Sequence, residues 1–235
     1  MVITTFNRAA LLVRSLSRLA ALTFPDELLI IDDGGDDETP QVCEEFRQYL
    51  PIRYIYNDNP GSTICSMARN IGIKQAKHDW IITSEPELIY ETDIVAQFLE
   101  CHADHPQQVV SAGHITFAPE GWTPDLPLLG QVAEGWVAPH TALWKKEWLL
   151  AVGGWDESFP GPWGWDDTDL LTRLRINGIG QHIELAMRAV HQFHGLGADP
   201  DSRNEAHFFA KSFNGDETNT ADVVANQGRD WGVVR

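Results

Sequence analysis

The first hundred residues alternate between two hydrophobic rhythms, and that alternation narrows the fold more than any other property of the chain. Val2–Thr5 is a short β-rich segment, and 9–22 follows with Leu11, Leu12, Leu16 and Leu19 near helical spacing. Residues 28–31 form a continuous apolar run that ends in Asp32-Asp33-Gly34-Gly35, a strand running into a turn. The pattern repeats: helix over 39–50, strand at Ile52–Tyr56, helix over 62–76, strand over 80–83, helix over 92–102. Strands alternating with helices predict βαβ units and an α/β fold with a mostly parallel central sheet. Ligands of such sheets bind beyond the carboxyl ends of the strands. Thr4-Thr5, Asp32-Asp33 and Glu85-Pro86-Glu87 each stand at such an end.

Past residue 106 the rhythm changes. Residues 117–136, rich in Pro, Gly and Trp, are expected to be a loop. A strand is expected over 137–144, with a helix starting near Lys145. Leu170, Leu171 and Leu174 give 166–176 an apolar helical stripe; 183–193 reads as strand, 204–213 as a last helix, and the chain from 214 as a polar tail. No repeat, low-complexity tract or linker composition divides the chain.

Charge and cysteine usage exclude several classes. With 17 Lys and Arg against 34 Asp and Glu the net charge is −17, which opposes binding to nucleic acid or to an anionic membrane surface. An anionic nucleotide would need local help from a cation or a helix N-terminus. Cys43, Cys65 and Cys101 are an odd set without C-x-x-C spacing, which suggests neither a disulfide framework nor a zinc knuckle. Reduced thiols fit a cytoplasmic protein. No apolar stretch reaches the roughly 18 residues of a membrane span, and Arg8, Arg14 and Arg18 belong to the first strand–helix unit rather than to a transit peptide.

Four stretches carry chemistry, and their order resembles that of the family 2 glycosyltransferases, enzymes of the GT-A fold. ITTFNRAALLVRSL and LLIIDDGGDDET are similar to the family's opening, a T-x-N-R-like turn and a second strand ending in D-D-G. The resemblance implies that Thr4 or Thr5, Asn7, Arg8, and Asp32 or Asp33 hold the nucleotide of a sugar donor. A carboxylate suits that task because it accepts charge-assisted hydrogen bonds from a base N–H or a ribose hydroxyl. Without the resemblance, D-D-G-G would read as a turn.

NPGSTICSMARNIGIKQAKHDWIITSEPE resembles the family's A-R-N-x-G-I helix, apolar strand and acidic motif. In most members that motif is D-x-D and binds a divalent cation; here it falls on Glu85-Pro86-Glu87. Glutamate offers Mg²⁺ or Mn²⁺ the same hard oxygen on a longer stem, and the proline stiffens the corner. A solvated acidic turn is the alternative. Glu87 is expected at the metal, with Glu85 beside it at the donor, and Arg69 on the donor phosphates, which a planar guanidinium binds bidentately.

VGGWDESFPGPWGWDDTDLLTRLRINGI resembles the acceptor-side motif of inverting enzymes on this fold, of the form G-G-F-D-E…W-G-x-E-D-x-D-L. Asp166 and Asp167 take the E-D positions, and Asp167 falls where the catalytic base lies. An inverting transfer needs a carboxylate to accept the proton of the attacking hydroxyl, and a helix N-terminus at Asp166 would favour its ionised form. Plain capping by Asp is the competing explanation for Asp166. Trp163, Gly164 and Trp165 are expected at the acceptor, since indole faces suit sugar rings. In AVHQFHGLGADPDSRNEAHFF, His191 matches the family's V-x-H metal ligand and His194 is its rival. Residues three apart on a strand face opposite sides, so both reach one ion only if the strand ends between them.

The resemblance implies a single domain over 1–213, with a donor half (1–105) and an acceptor and catalytic half (106–213), then a tail over 214–235. It implies a first strand several residues longer than the one starting at Met1, so that a sheet edge is clipped or the N-terminus truncated. The expected activity is metal-dependent, inverting transfer of a sugar from a nucleotide-diphosphate donor, UDP being the first choice, to a glycan or other hydroxyl acceptor. A donor- or glycan-binding module without catalysis is the alternative, kept open by Glu in place of Asp. A nucleotidyltransferase is disfavoured because no G-x-G phosphate loop follows the first strand.

Overall fold

A computed structural model describes residues 1–22, 25–59, 65–128, 130–135, 139–161, 164–195, 202–211 and 223–235. Its centre is one sheet with strand order β3-β2-β1-β4-β8-β6-β9-β5 and β7 paired to β6. The strands are β1 Val2–Thr5, β2 Leu28–Asp32, β3 Ile52–Tyr56, β4 Trp80–Ser84, β5 Leu88–Tyr90, β6 Gln108–Phe117, β7 Gln131–Glu134, β8 Ala142–Lys145 and β9 Gly180–His191. The helices are α1 Ala9–Leu19, α2 Thr39–Phe46, α3 Cys65–Gln75, α4 Ile94–Asp104, α5 Lys146–Ala151, α6 Asp166–Ile176 and α7 Ser202–Ala210.

The predicted parallel sheet is the half β3-β2-β1-β4, all of whose pairs are parallel. The other half is mixed: β6 and β9 run parallel, while β8 pairs antiparallel with β4 and β6, and β5 with β9. Period-two alternation splits β2 between two cores. Leu28 and Ile30 pack with Leu12, Leu16 and Phe98 on one face, and Leu29 and Ile31 with Ile71, Trp144 and Leu170 on the other. A sheet covered on both faces explains why LLII is unbroken rather than alternating. Gly72 lets α3 lie against β1: a Cβ there would stand 2.3 Å from Val2 Cγ1.

Several expectations need correction. Residues 108–117, given no strand above, form the long β6, and β7 lies inside the stretch expected to be loop. β6 is buried almost throughout and broken by a register shift between Ala112 and His114, so no clean alternation announces it. Leu88–Tyr90, inside the acidic corner, is a strand of its own paired to the end of β9. Residues 223–235 pack against the body: Asn226 Nδ2 donates to Gly153 O and Trp155 O at 2.8 and 2.7 Å, and Arg235 N donates to Asn57 Oδ1 at 2.8 Å.

Candidate active site

Strands β1, β2 and β4 run parallel and end on one edge of the sheet, which brings the three polar strand ends together. At the first, Thr5 O accepts from Asp33 N at 2.9 Å, and the buried Thr5 Oγ1 has no hydrogen-bond partner among the described residues. Thr4 is half-buried beside it. Asn7 takes a left-handed conformation, φ 52°, and its Oδ1 accepts from Asp36 N at 2.8 Å, clasping the turn after β2.

Both aspartates of that turn are buried and engaged. Asp32 accepts from Tyr54 OH at 2.8 Å and from Gly35 N at 2.9 Å; Asp33 accepts from Asn57 Nδ2 at 2.7 Å and from Asn59 Nδ2 at 3.0 Å. Burial pushes both carboxyls above the usual range, and these hydrogen bonds pull the other way. D-D-G-G is thus a turn whose carboxylates are fixed from within.

The acidic corner is rigid. Leu88 N donates to Glu85 O at 3.3 Å, Ser15 Oγ to Pro86 O at 2.6 Å, and Gln192 N to Glu87 O at 3.0 Å. Glu85 Oε2 lies 2.8 Å from His140 Nδ1 and 3.7 Å from His191 Nε2. Glu87 Oε1 lies 3.7 Å from His191 Nε2 and 3.4 Å from His194 Nε2. Two ligand sets, Glu85–His140–His191 and Glu87–His191–His194, therefore share His191, with donor atoms in each within 4.8 Å of one another. β9 ends at His191, which meets the condition for both histidines to turn to one side. Among the described residues Glu87 Oε2 is buried without a hydrogen-bond partner. A buried carboxylate oxygen among imidazoles and a second carboxylate is a donor set that fits a divalent cation.

The electrostatics are those of crowded, partly dehydrated charge. For Glu85, burial raises the carboxyl, but His140 and His191 outweigh it and hold it well below the usual range. For Glu87, burial and the Glu85 charge raise it. Burial also depresses His191 and His194, favouring the neutral imidazole that ligates metals. Arg8 Nη2 lies 3.3 Å from His194 Nδ1, which joins the first turn to the end of β9.

Asp166 and Asp167 begin α6, whose cap is Trp165 in a left-handed conformation, φ 69°, so neither aspartate serves as the cap. Arg69 of α3 reaches both, with Nη1 2.9 Å from Asp166 Oδ2 and 3.3 Å from Asp167 Oδ1, and its guanidinium lies over the Trp155 ring. Asp167 Oδ1 also accepts from Trp155 Nε1 at 2.7 Å, and Ser66 Oγ lies 3.4 Å from Asp166 Oδ2. Burial pushes the Asp167 carboxyl up to about 6, against the pull of Arg69; Asp166 and Glu85 add to the rise. Arg69 itself is held more strongly charged by Asp167 and Asp166 despite its burial. Gly164 O accepts from Asn204 Nδ2 at 3.0 Å, and Trp165 packs on Phe208 and Phe209, so that indole is braced by α7. Trp163 lies outside the described residues.

Two features escaped the sequence. His140 carries no local motif; antiparallel pairing of β8 with β4, Ala142 opposite Thr83, brings it to Glu85. Beneath the site Asp169 and Arg173, both 0% exposed, pair at 2.7 Å, and Lys211 Nζ donates to Asp169 Oδ1 at 2.6 Å and Asp156 Oδ2 at 2.5 Å. Their i, i+4 spacing on α6 was the one available signal.

Comparison with known proteins agrees with this architecture. The chain belongs to glycosyl transferase family 2, whose model matches residues 1–177. The chondroitin synthase of Pasteurella multocida (strain Pm70) is 25% identical over 235 residues, covering 81% of this chain and 24% of that protein. The chain thus spans about a quarter of that relative. Among solved structures, a mannosyltransferase from Pyrobaculum calidifontis in complex with GDP-Man and Mn²⁺ aligns with a TM-score of 0.62 at 16% identity, over 80% of this chain and 55% of that one. S. aureus TarS 1–349 in complex with UDP aligns at 0.66 and 16% identity, over 93% of this chain and 72% of that one. The fold is that of the GT-A glycosyltransferases. Among the described residues no helix is long and apolar enough to cross a membrane.

Proposed function

We propose that the chain is the catalytic domain of a divalent-metal-dependent, inverting glycosyltransferase that moves a hexose from a nucleotide-diphosphate sugar, UDP-linked in the first instance, to a hydroxyl of a glycan or similar acceptor. The observation that carries this reading is the convergence of Glu85, Glu87, His140, His191 and His194 on one corner of the sheet, with the charge of Glu85 felt at Asp167. The complexes of the mannosyltransferase with Mn²⁺ and of TarS with UDP support the same chemistry by analogy of fold.

Glu87, His191 and His194 would hold Mn²⁺ or Mg²⁺, with Glu85 and His140 completing or orienting the set. Held there, a cation would supply positive charge against the departing nucleoside diphosphate. Asp33, with Asn57 and Asn59, braces the nucleotide end, and Thr4, Thr5, Asn7, Arg8 and Asp32 shape its walls. Asp167 takes the acceptor's hydroxyl proton while that oxygen bonds to the anomeric carbon and the bond to the diphosphate breaks on the opposite face. Asp166 shares Arg69 with Asp167 and keeps the guanidinium in place, where it would meet the donor phosphates. Gly164 and Trp165, braced by α7, wall the acceptor side. The three cysteines in an odd, unframed set support a reducing compartment.

The test is transfer from a panel of nucleotide sugars with Mn²⁺, comparing the wild type with Asp167→Asn. The reading expects turnover with inverted anomeric configuration and a loss of at least ~10²-fold in the variant, the usual worth of a general base. Retained configuration, or an unaffected variant, would remove Asp167 from its role. Donor binding without turnover would favour the non-catalytic module.

A further inference from the structure

The end of the sheet away from the active site carries a second group of ligand-type side chains. Cys101 lies in the last turn of α4, His105 caps that helix, and His182 stands near the start of β9, opposite Val110. One donor atom from each lies within 4.8 Å of the others. Glu184 completes the set: its Oε1 accepts from Ala186 N at 2.9 Å, and its Oε2 lies 3.5 Å from His182 Nε2 and 3.9 Å from Cys101 Sγ. His182 Nε2 is a buried nitrogen whose approach to Glu184 Oε2 is long, and among the described residues it makes no closer hydrogen bond. Nothing in the transfer chemistry uses these four residues, and His182 is separated along β9 from His191 by nine residues, roughly 30 Å of strand.

We propose that Cys101, His105, His182 and Glu184 form a zinc site that ties the C-terminal end of α4 to the beginning of β9. One thiolate, two imidazoles and one carboxylate make the four-coordinate S, N and O donor set that Zn²⁺ takes in proteins. The thiolate distinguishes it from the active-site sets, which offer carboxylates and imidazoles but no sulfur. The His105 and His182 rings are stacked, 3.7 Å between centroids with an interplanar angle of 14°. Parallel rings cannot aim both lone pairs at one ion, so ion entry splays the stack and brings donors that lie within 4.8 Å of one another onto the roughly 3.5 Å edges of a zinc tetrahedron with bonds of about 2.0–2.3 Å. Both rings are at the surface, His182 with 28% of its side chain exposed, so the adjustment is a matter of side-chain rotation. The Cys101 proton leaves to solvent as the thiolate binds. Sequence spacing hid the site, because C-x₃-H on α4 supplies only half of the ligands.

The experiment uses Co²⁺ as a spectroscopic stand-in for Zn²⁺, titrated into the full chain. A cobalt–thiolate charge-transfer band cannot come from the active-site set, which has no cysteine ligand. The proposal expects one equivalent of Co²⁺ to give that band, Zn²⁺ to bleach it, and Cys101→Ser or His182→Ala to abolish it. It expects Cys65→Ser and His191→Ala to keep it. Circular dichroism confirms that each variant is folded, and donor turnover with Mn²⁺ should persist in Cys101→Ser. Absence of the band in the wild type, its survival in Cys101→Ser, or its loss in Cys65→Ser overturns the proposal without touching the assignment of the active site.

Discussion

Replacing Arg69 by Gln should move the acid limb of the pH–rate profile upward. On the proposed mechanism Asp167 acts in its ionised form; burial pushes its carboxyl up to about 6, with Arg69 Nη1 3.3 Å away holding it down. An opposite charge at such a distance lowers a carboxyl by ~1–3 units, and the pair is mostly shielded, with side chains 13% and 19% exposed. Removing the guanidinium therefore places the limb near ~7–9. Taking the middle of that range, the wild type is about nine-tenths ionised at pH 7 and the variant about one-tenth, so ionisation alone lowers kcat/KM ~10-fold at neutral pH, a part of the loss that disappears by about pH 9, leaving a pH-independent defect from the missing donor contact. The assay is initial-rate transfer from pH 5 to 9.5 at saturating Mn²⁺, with Arg69→Lys as a control that keeps a charge while losing the planar fork. The lysine variant should keep its limb near that of the wild type and show its defect in KM for the donor. A glutamine variant whose limb stays where the wild type has it would refute the coupling of Arg69 to the base.

Two further outcomes follow from the geometry. His140→Ala, which removes the imidazole 2.8 Å from Glu85, should weaken Mn²⁺ binding by ~10–100-fold in calorimetric titration, the usual cost of losing an orienting partner; unchanged affinity would leave His140 outside the metal centre. Gly154→Ala should lower stability, because φ is +67° and the new Cβ would stand 2.4 Å from Asn70 Oδ1. The left-handed backbone alone costs ~1–2 kcal/mol, so thermal unfolding should drop by about 2–8 °C; an unshifted transition would refute the steric account.

The parts of this molecule that could be read from the chain are those encoded locally. LLIIDDGG announces a buried strand and its turn because apolar run and turn residues are adjacent, and DDTDLLTRL announces α6 because acidic first turn and leucine stripe lie in one stretch. Glu85, Glu87 and His191 were legible only through a family pattern; their own surroundings would pass for an acidic turn and a strand end. His140 was not legible, since register between β4 and β8 carries it to Glu85. Arg69 was expected at the donor phosphates, and the structure adds partners nearly a hundred residues away that no helical spacing could reveal. β6 was missed because burial on both faces and the shift at Ala112/His114 erase its periodicity.

The central claim is that Glu87 and His191 bind a cation on which donor binding depends. Isothermal titration of UDP-sugars and GDP-sugars into the wild type and Glu87→Ala, each with Mn²⁺ and with chelator, tests it most directly. The account predicts saturable binding of at least one donor to the wild type with Mn²⁺, and its loss both in chelator and in Glu87→Ala. Donor binding of equal strength with and without the metal, or unaltered in Glu87→Ala, would contradict it.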